Sequence, residues 1–254
     1  MQKRIKMITQ KLKTTTFLIS LLVFSSVAFG QTRSKTVYKS NDKTHTHKVN
    51  TGVTSSELEY RGDIEFTDDD KDIKSISSGG FLYYSKRTFG TKRSLKFESK
   101  SNGTFTREYY EGGREKPFDP DGREFMELAI PDIIRSSGIG AKARVARIYR
   151  QGGVDAVTNE ISNISSNYVS AIYYREAIAI PGMKTDEVAK MVQHAGDDIS
   201  SSYEMGRLLR DNMDIFLKHP TTTEAMIEAA SEMSSDYEQS QVYKAILKEE
   251  INDG

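Results

Sequence analysis

Few residues in this chain are equipped for chemistry, and their spacing argues against most of it. Histidine occurs four times in 254 residues. His194 stands just before Asp197, Asp198 and Ser200, which are the residue types of a nucleophile, its base and an orienting acid. Side chains this close at a helix end rarely converge, and Ser200 belongs to a recurring serine pair that reads as a helix cap. His45 and His47 offer two metal ligands in extended chain, yet no carboxylate cage lies near them, so a solvated tail is the reading. Asp68-Asp69-Asp70-Lys71-Asp72 groups hard oxygen ligands of the kind calcium takes. It lacks the glycine and the distant glutamate of an EF-hand loop, which leaves a solvated acidic turn. Gly138-Ile139-Gly140 lacks the further glycines and the lysine-serine pair of a phosphate loop and reads as a helix break. Cysteine is absent, which excludes disulfides, thiol catalysis, cysteine-bound zinc and a lipid-anchored N-terminal cysteine. The expectation is a protein without catalytic, metal or cofactor residues, and not an enzyme.

The cations are more suggestive. Lys142, Arg144, Arg147 and Arg150 share a stretch whose apolar side is Val145, Ile148 and Tyr149. That face either binds an anion or a partner, or is a solvated flank pairing with acidic neighbours, and the flank is the preferred reading. A second set, Arg175, Arg210 and Lys244, recurs at a fixed place in a repeat. The binding candidates are therefore Arg144, Arg147, Arg175, Arg210 and Lys244.

The repeat organises the second half. Ser165-Ser166-Asn167-Tyr168 returns as Ser200-Ser201-Ser202-Tyr203 and as Ser234-Ser235-Asp236-Tyr237. The tyrosines are separated by about 34 residues, the length of one helix-turn-helix unit. Three positions after each tyrosine stand the small Ala171, Gly206 and Ser240. Six after stand the bulky Tyr174, Leu209 and Tyr243, and ten after the apolar Ile178, Met213 and Leu247. These offsets keep to one stripe of a helix. Ser201 with Glu204 and Ser235 with Glu238 also have capping-box spacing. The segments are expected to bury themselves against one another as successive layers.

The elements around the repeat differ in kind. The basic residues Lys3, Arg4, Lys6, Lys11 and Lys13 precede a short apolar run over residues 17–29, which predicts an export signal over residues 1–30. About 13 residues at about 1.5 Å each fall short of a bilayer core of about 30 Å. Basic and acidic residues number 36 each, so losing those five cations leaves a charge of about −5. A mildly acidic exported chain is a poor nucleic-acid binder. Residues 31–56 lack apolar periodicity and read as a flexible linker. Residues 57–118 alternate apolar and polar between glycine and Asn102-Gly103 turns, which predicts a meander of four or five antiparallel strands. Residues 119–254 carry helical periodicity, with a restart at Pro131 and a break at Gly152-Gly153. The fold class is α+β: a small antiparallel β-meander followed by an α-helical hairpin repeat, a short HEAT-like or TPR-like solenoid.

In order along the chain, Gly79-Gly80-Phe81, Arg93, Leu95, Gly112-Gly113-Arg114, Pro117-Phe118-Asp119, Arg144-Val145, Gly152-Gly153-Val154 and Ser165-Ser166-Asn167-Tyr168-Val169 form an ensemble. Between about Gly62 and Ile178 it resembles a bacterial extracytoplasmic domain found alone or fused to membrane zinc peptidases of the beta-lactam-sensor type. The resemblance implies an accessory or sensing role outside the membrane. The chain has no His-Glu-x-x-His, so peptidase activity does not carry over.

The expected function is that of an exported binding or scaffolding protein, periplasmic or secreted, acting through a helical-repeat surface on another envelope or extracellular protein. Nucleic acid and stable membrane insertion after signal cleavage are not expected. The alternatives are a ligand sensor using sheet aromatics at Tyr83, Tyr84 and Tyr109, or a hydrolase centred on His194.

Overall fold

Period-two alternation builds a sheet whose apolar face a helix then covers. In a computed structural model, residues 35–41, 44–50 and 54–252 are described, so the signal expected over residues 1–30 lies outside them. The strands are β1 Lys35–Asn41, β2 Thr44–Asn50, β3 Thr54–Arg61, β4 Ile64–Phe66, β5 Ile73–Ile76, β6 Phe81–Thr88, β7 Thr91–Ser99, β8 Phe105–Glu111 and β9 Arg114–Lys116. Among the described residues, β1-β2-β3-β6-β7-β8-β9 form one antiparallel sheet in that order, and β4 with β5 forms a separate ribbon. Helices follow, so the chain is α+β.

Two expectations need correction here. The stretch 31–56, expected as a flexible linker, supplies β1, β2 and the start of β3. Its polarity hides this, because in β2 only His47 is buried and no apolar alternation shows. What holds β2 is its ladder to β3, with β-branched Thr44 and Thr46 suited to extended backbone. The meander of four or five strands is also too small. The sheet is wider, and Ile64, Ile73 and Ile76 leave it to bury themselves from the ribbon.

Leu58, Tyr84, Leu95 and Tyr109 stand directly opposite one another across β3, β6, β7 and β8, and all are buried. Leu82 and Phe97 form the next row on that face. Helix α1, Arg123–Ser137, sets Phe125 on them, with ring centroids 6.2 Å from Tyr84 and 6.0 Å from Tyr109. Each such side chain contributes roughly 1.5–3 kcal/mol of burial. The turn before α1 comes so close that a Cβ on Gly122 would lie 2.7 Å from that of Tyr109. Pro131 does not restart α1, which runs through it unbroken.

The remaining helices are α2 Ala141–Ile161, α3 Asn167–Ile178, α4 Thr185–Asp198, α5 Ser202–Asp211, α6 Met213–Phe216, α7 Pro220–Ser231 and α8 Asp236–Asn252. The break at Gly152-Gly153 is a kink inside α2, where Gly153 has φ 64° and ψ −154°, a conformation closed to other residues. α2 and α7 both lie against α4, while α3 and α8 both lie against α5. Approach of α4 to α7 is close, since a Cβ on Gly196 would stand 3.3 Å from that of Ala229.

Sheet and helices are joined by charge as well as by apolar packing. Arg144 of α2 is 8% exposed. It donates to Asp70 of the β4–β5 turn at 2.8 Å, meets Glu160 at 2.8 Å and donates to the Tyr173 hydroxyl at 3.1 Å. Arg147 takes the other Asp70 oxygen at 2.7 Å and donates to the Asp68 carbonyl. Arg135 of α1 clamps Glu160 with two bonds of 2.7 and 3.0 Å. The cluster thus ties ribbon, α1, α2 and α3 together.

Removing Arg144 leaves Asp70 to Arg147 alone and Glu160 to Arg135 alone, so Arg144→Met is expected to cost about 1.5–3 kcal/mol, as loss of bonds to charged groups does, read from denaturant midpoints. Burial raises the Glu160 pKa, but bonds from Arg135 and Arg144 outweigh it and hold the carboxyl below its ordinary 4.5. Its contribution is therefore present above that value and lost as pH falls through the folded pKa. The acid loss of stability below about pH 4.5 should be shallower in Arg144→Met than in the parent.

Candidate functional site

Serine before a helix satisfies a backbone N–H that the helix itself leaves orphaned. Three helices begin this way. Ser166 accepts from Val169 N at 3.4 Å before α3, Ser201 from Glu204 N at 3.4 Å before α5, and Ser235 from Glu238 N at 3.3 Å before α8. The first residue of one helix then reaches to the cap of the next. Asn167 Nδ2 donates to Ser200 Oγ at 3.1 Å, and Ser200 N donates to Asn167 Oδ1 at 3.0 Å. Ser202 accepts from Ser235 N at 3.2 Å and shares a hydroxyl bond of 3.1 Å with Ser234. The N-terminal tips of α3, α5 and α8 are thereby bonded side by side.

The tyrosines follow from this arrangement. Tyr168, Tyr203 and Tyr237 each stand second in their helix, and they are 40%, 56% and 69% exposed. The expectation that these segments bury themselves against one another fails at the tyrosines themselves. The buried stripe instead runs through Ala171, Tyr174 and Ile178 in α3 and through Gly206 and Leu209 in α5, with Met213 following in α6. Tyr174 is sealed within it: burial, then the Asp198 carboxylate that accepts its hydroxyl, push its pKa up. Leu247, at the same place in α8, is exposed.

Tyr60 of β3, partly buried against the core, lies near Tyr168. Its ring stacks on His45 at 4.9 Å, and burial followed by the nearby Tyr168 hydroxyl pushes its pKa up to about 12. These rings combine apolar faces with hydroxyl tips, which suits them to contacts with a partner. Nothing in the pattern of spacing distinguished them as surface residues. The capping serines could have done so, because a side chain one residue into a helix, beside its cap, is rarely on the core stripe.

The cationic candidates fare differently. Arg144 and Arg147 face inward to Asp70 and Glu160, so their charge is used within the chain. Arg175 of α3 meets Asp211 of α5 at 3.6 Å, and Arg210 of α5 meets Glu238 of α8 at 2.9 Å. Both link neighbouring helices. Gly206 gives the second pair room, since a Cβ there would stand 2.9 Å from Arg210 Nη1 and 3.0 Å from Glu238 Oε2. Lys244 is exposed on α8.

The other singled-out residues are dispersed. Ser200 is bonded to Asn167 and Asp198 to Tyr174, so neither is turned to His194. His47 is buried opposite Leu58, where desolvation lowers its pKa. Asp72 is gripped by Arg107 at 3.0 Å, and Asp69 accepts from Thr67 at 2.5 Å. Among the described residues, no three histidine or acidic side chains are grouped to hold a metal ion.

Removing a cap hydroxyl should cost about 1 kcal/mol in each of Ser166→Ala, Ser201→Ala and Ser235→Ala. Tyr203→Ala and Tyr237→Ala should shift stability by less than about 0.5 kcal/mol. Equilibrium denaturation checks both, and a larger loss at the tyrosines would make them part of the core. Compared with known proteins, the chain matches no family model, no curated protein and no solved structure.

Proposed function

We propose that this chain is an exported, non-catalytic binding protein that holds another envelope or extracellular protein along the row Tyr168, Tyr203 and Tyr237. One observation carries the reading: three large side chains at the same position of adjacent helices are all turned to solvent. Nothing in the packing of a residue one step into a helix calls for an aromatic there, and repetition of an exposed ring along bonded helix tips provides a strip with regular purchase. In this reading the kinked half of α2 with α3, α4 with α5, and α7 with α8 are three hairpins of one kind. α2, α4 and α7 make one layer of a short solenoid and α3, α5 and α8 the other.

Export rests on the basic and apolar pattern of residues 1–30. Among the described residues, no helix is long and apolar enough to cross a membrane. An accessory or sensing role is what the resemblance to the extracytoplasmic domain implies. The sensor alternative loses two of its residues, because Tyr84 and Tyr109 are each 2% exposed beneath α1. The arginine columns are better read as links between helices than as the contact surface.

The test is a photo-crosslinking residue placed at Tyr203, at Tyr237 and, as a control, at exposed Phe89 in the β6–β7 turn. A shared adduct is expected from the two helix positions and not from the turn. Tyr203→Ala with Tyr237→Ala should weaken retention of that partner at least about tenfold, since exposed aromatic anchors contribute most at interfaces. Retention unchanged in the double variant would rule the strip out.

A further inference from the structure

The sheet face opposite the core contains a groove that the helical stack does not use. Lys48, Glu57, Ser85, Ser94 and Tyr110 stand in register across β2, β3, β6, β7 and β8. They alternate with buried Leu58, Tyr84 and Leu95, and so belong to the other face. Ser85 and Ser94 are nevertheless buried, because they are short and their neighbours on the same face are long. The next row brings in Ser55, Arg87 and Lys92. Lys48, Ser55, Glu57, Ser85, Arg87 and Lys92 help to bound a cavity of about 270 Å³.

The chemistry of the lining is one-sided. Three cations face one carboxylate, and that carboxylate is occupied by Lys48 at 2.5 Å. Arg87 gives Nη1 to the Gly90 carbonyl at 3.1 Å, and a guanidinium has further donors. The Lys92 amine lies 5.7 Å from the centre of the Tyr83 ring. Burial pushes the Tyr83 hydroxyl up, but bonds with Lys92, Ser85 and Ser94 outweigh it, and it titrates below its ordinary value. Positive charge thus gathers over a floor of hydroxyls. An apolar or cationic occupant would desolvate these groups without compensation, whereas an oxyanion can accept from Arg87, Lys92 and the Ser85 hydroxyl while Lys48 stays with Glu57.

We propose that this groove is a binding site for a small oxyanion of the phosphate or sulfate kind, held by Arg87 and Lys92 over the Ser85 hydroxyl. A tetrahedral anion can take donors from two strands and the floor at once, which a surface lysine alone does not offer.

The full chain is titrated with inorganic phosphate, with sodium chloride at matched ionic strength, and with vesicles containing an anionic phospholipid. Calorimetry gives affinity, and backbone amide shifts give location. Saturable phosphate binding is expected, with shifts centred on residues 85–87 and 92–94. Arg87→Ala and Lys92→Ala should each weaken it about tenfold, as loss of a charge-assisted bond does. Ser85→Val should weaken it with no change in net charge. A phosphate response no different from that of chloride overturns the site. So does full affinity in Ser85→Val, because diffuse attraction would not sense the floor. Binding to vesicles alone overturns it as well, since that would indicate a charged face and not a groove. Phosphate binding together with vesicle binding that Ser85→Val also weakens would support the site and extend its ligand to a lipid headgroup.

Discussion

A guanidinium taken out of water governs how this molecule is assembled. Arg144 is almost wholly buried, and burial alone would lower its pKa. Glu160, Tyr173 and Asp70 reverse that, so the charge is held more firmly than in water. Desolvating a cation costs several kcal/mol, and only good geometry to more than one partner recovers it. The partners come from three places: the β4–β5 turn, the far end of the same helix, and α3. The ribbon has little core of its own, so Asp70 and the three buried isoleucines are what fix it to the helices. A buried pair of this kind is weak evidence for net stability, since apolar groups of similar volume often pack in its place at no greater cost.

That arrangement explains why the acidic turn and the basic helix looked like two surface features in the sequence. Asp68-Asp69-Asp70 read as a solvated turn, and Arg144 with Arg147 as a binding face or a flank. Of the second option for the arginines, a solvated flank pairing with acidic neighbours, the pairing holds and the solvation does not, since Arg144 is buried. What local pattern could not give was the identity of the neighbours, which lie more than seventy residues away. Helix breaks at Gly138 to Gly140 and Gly152-Gly153 were legible, because glycine is needed for backbone that other residues avoid. Strands β1 and β2 were not, because their stability comes from ladder bonds that leave no apolar trace. The serines were legible as cap acceptors, since capping is a local interaction. The return bond of the expected capping box is displaced at Ser235, whose N–H goes to Ser202 while Glu238 takes Arg210.

The tyrosines show the limit of reading burial from recurrence. A column that repeats is easily assigned to the core, because core positions are under the same steric demand in every layer. Here the columns at three and six residues past the tyrosine behave that way in α3 and α5. The tyrosine column does not. Its position is set by the cap, since a residue one step into a helix points along the tip and away from the packed stripe. Nothing internal then requires an aromatic there three times over.

The small column supplies the complementary argument. Ala171, Gly206 and Ser240 are small for reasons that differ by layer: Ala171 is buried, while Gly206 leaves space for Arg210 and Glu238 to meet. Such links hold neighbouring helices at a set spacing and use up cations that a sequence reading would assign to a ligand. Once those charges are satisfied within the stack, the helical half presents aromatic rings at its tips, and the sheet half presents cations over serines on its open face. The two surfaces therefore differ in chemistry, one aromatic and the other cationic. That division follows from where each half places its arginines, between helices in the one and over the open sheet face in the other.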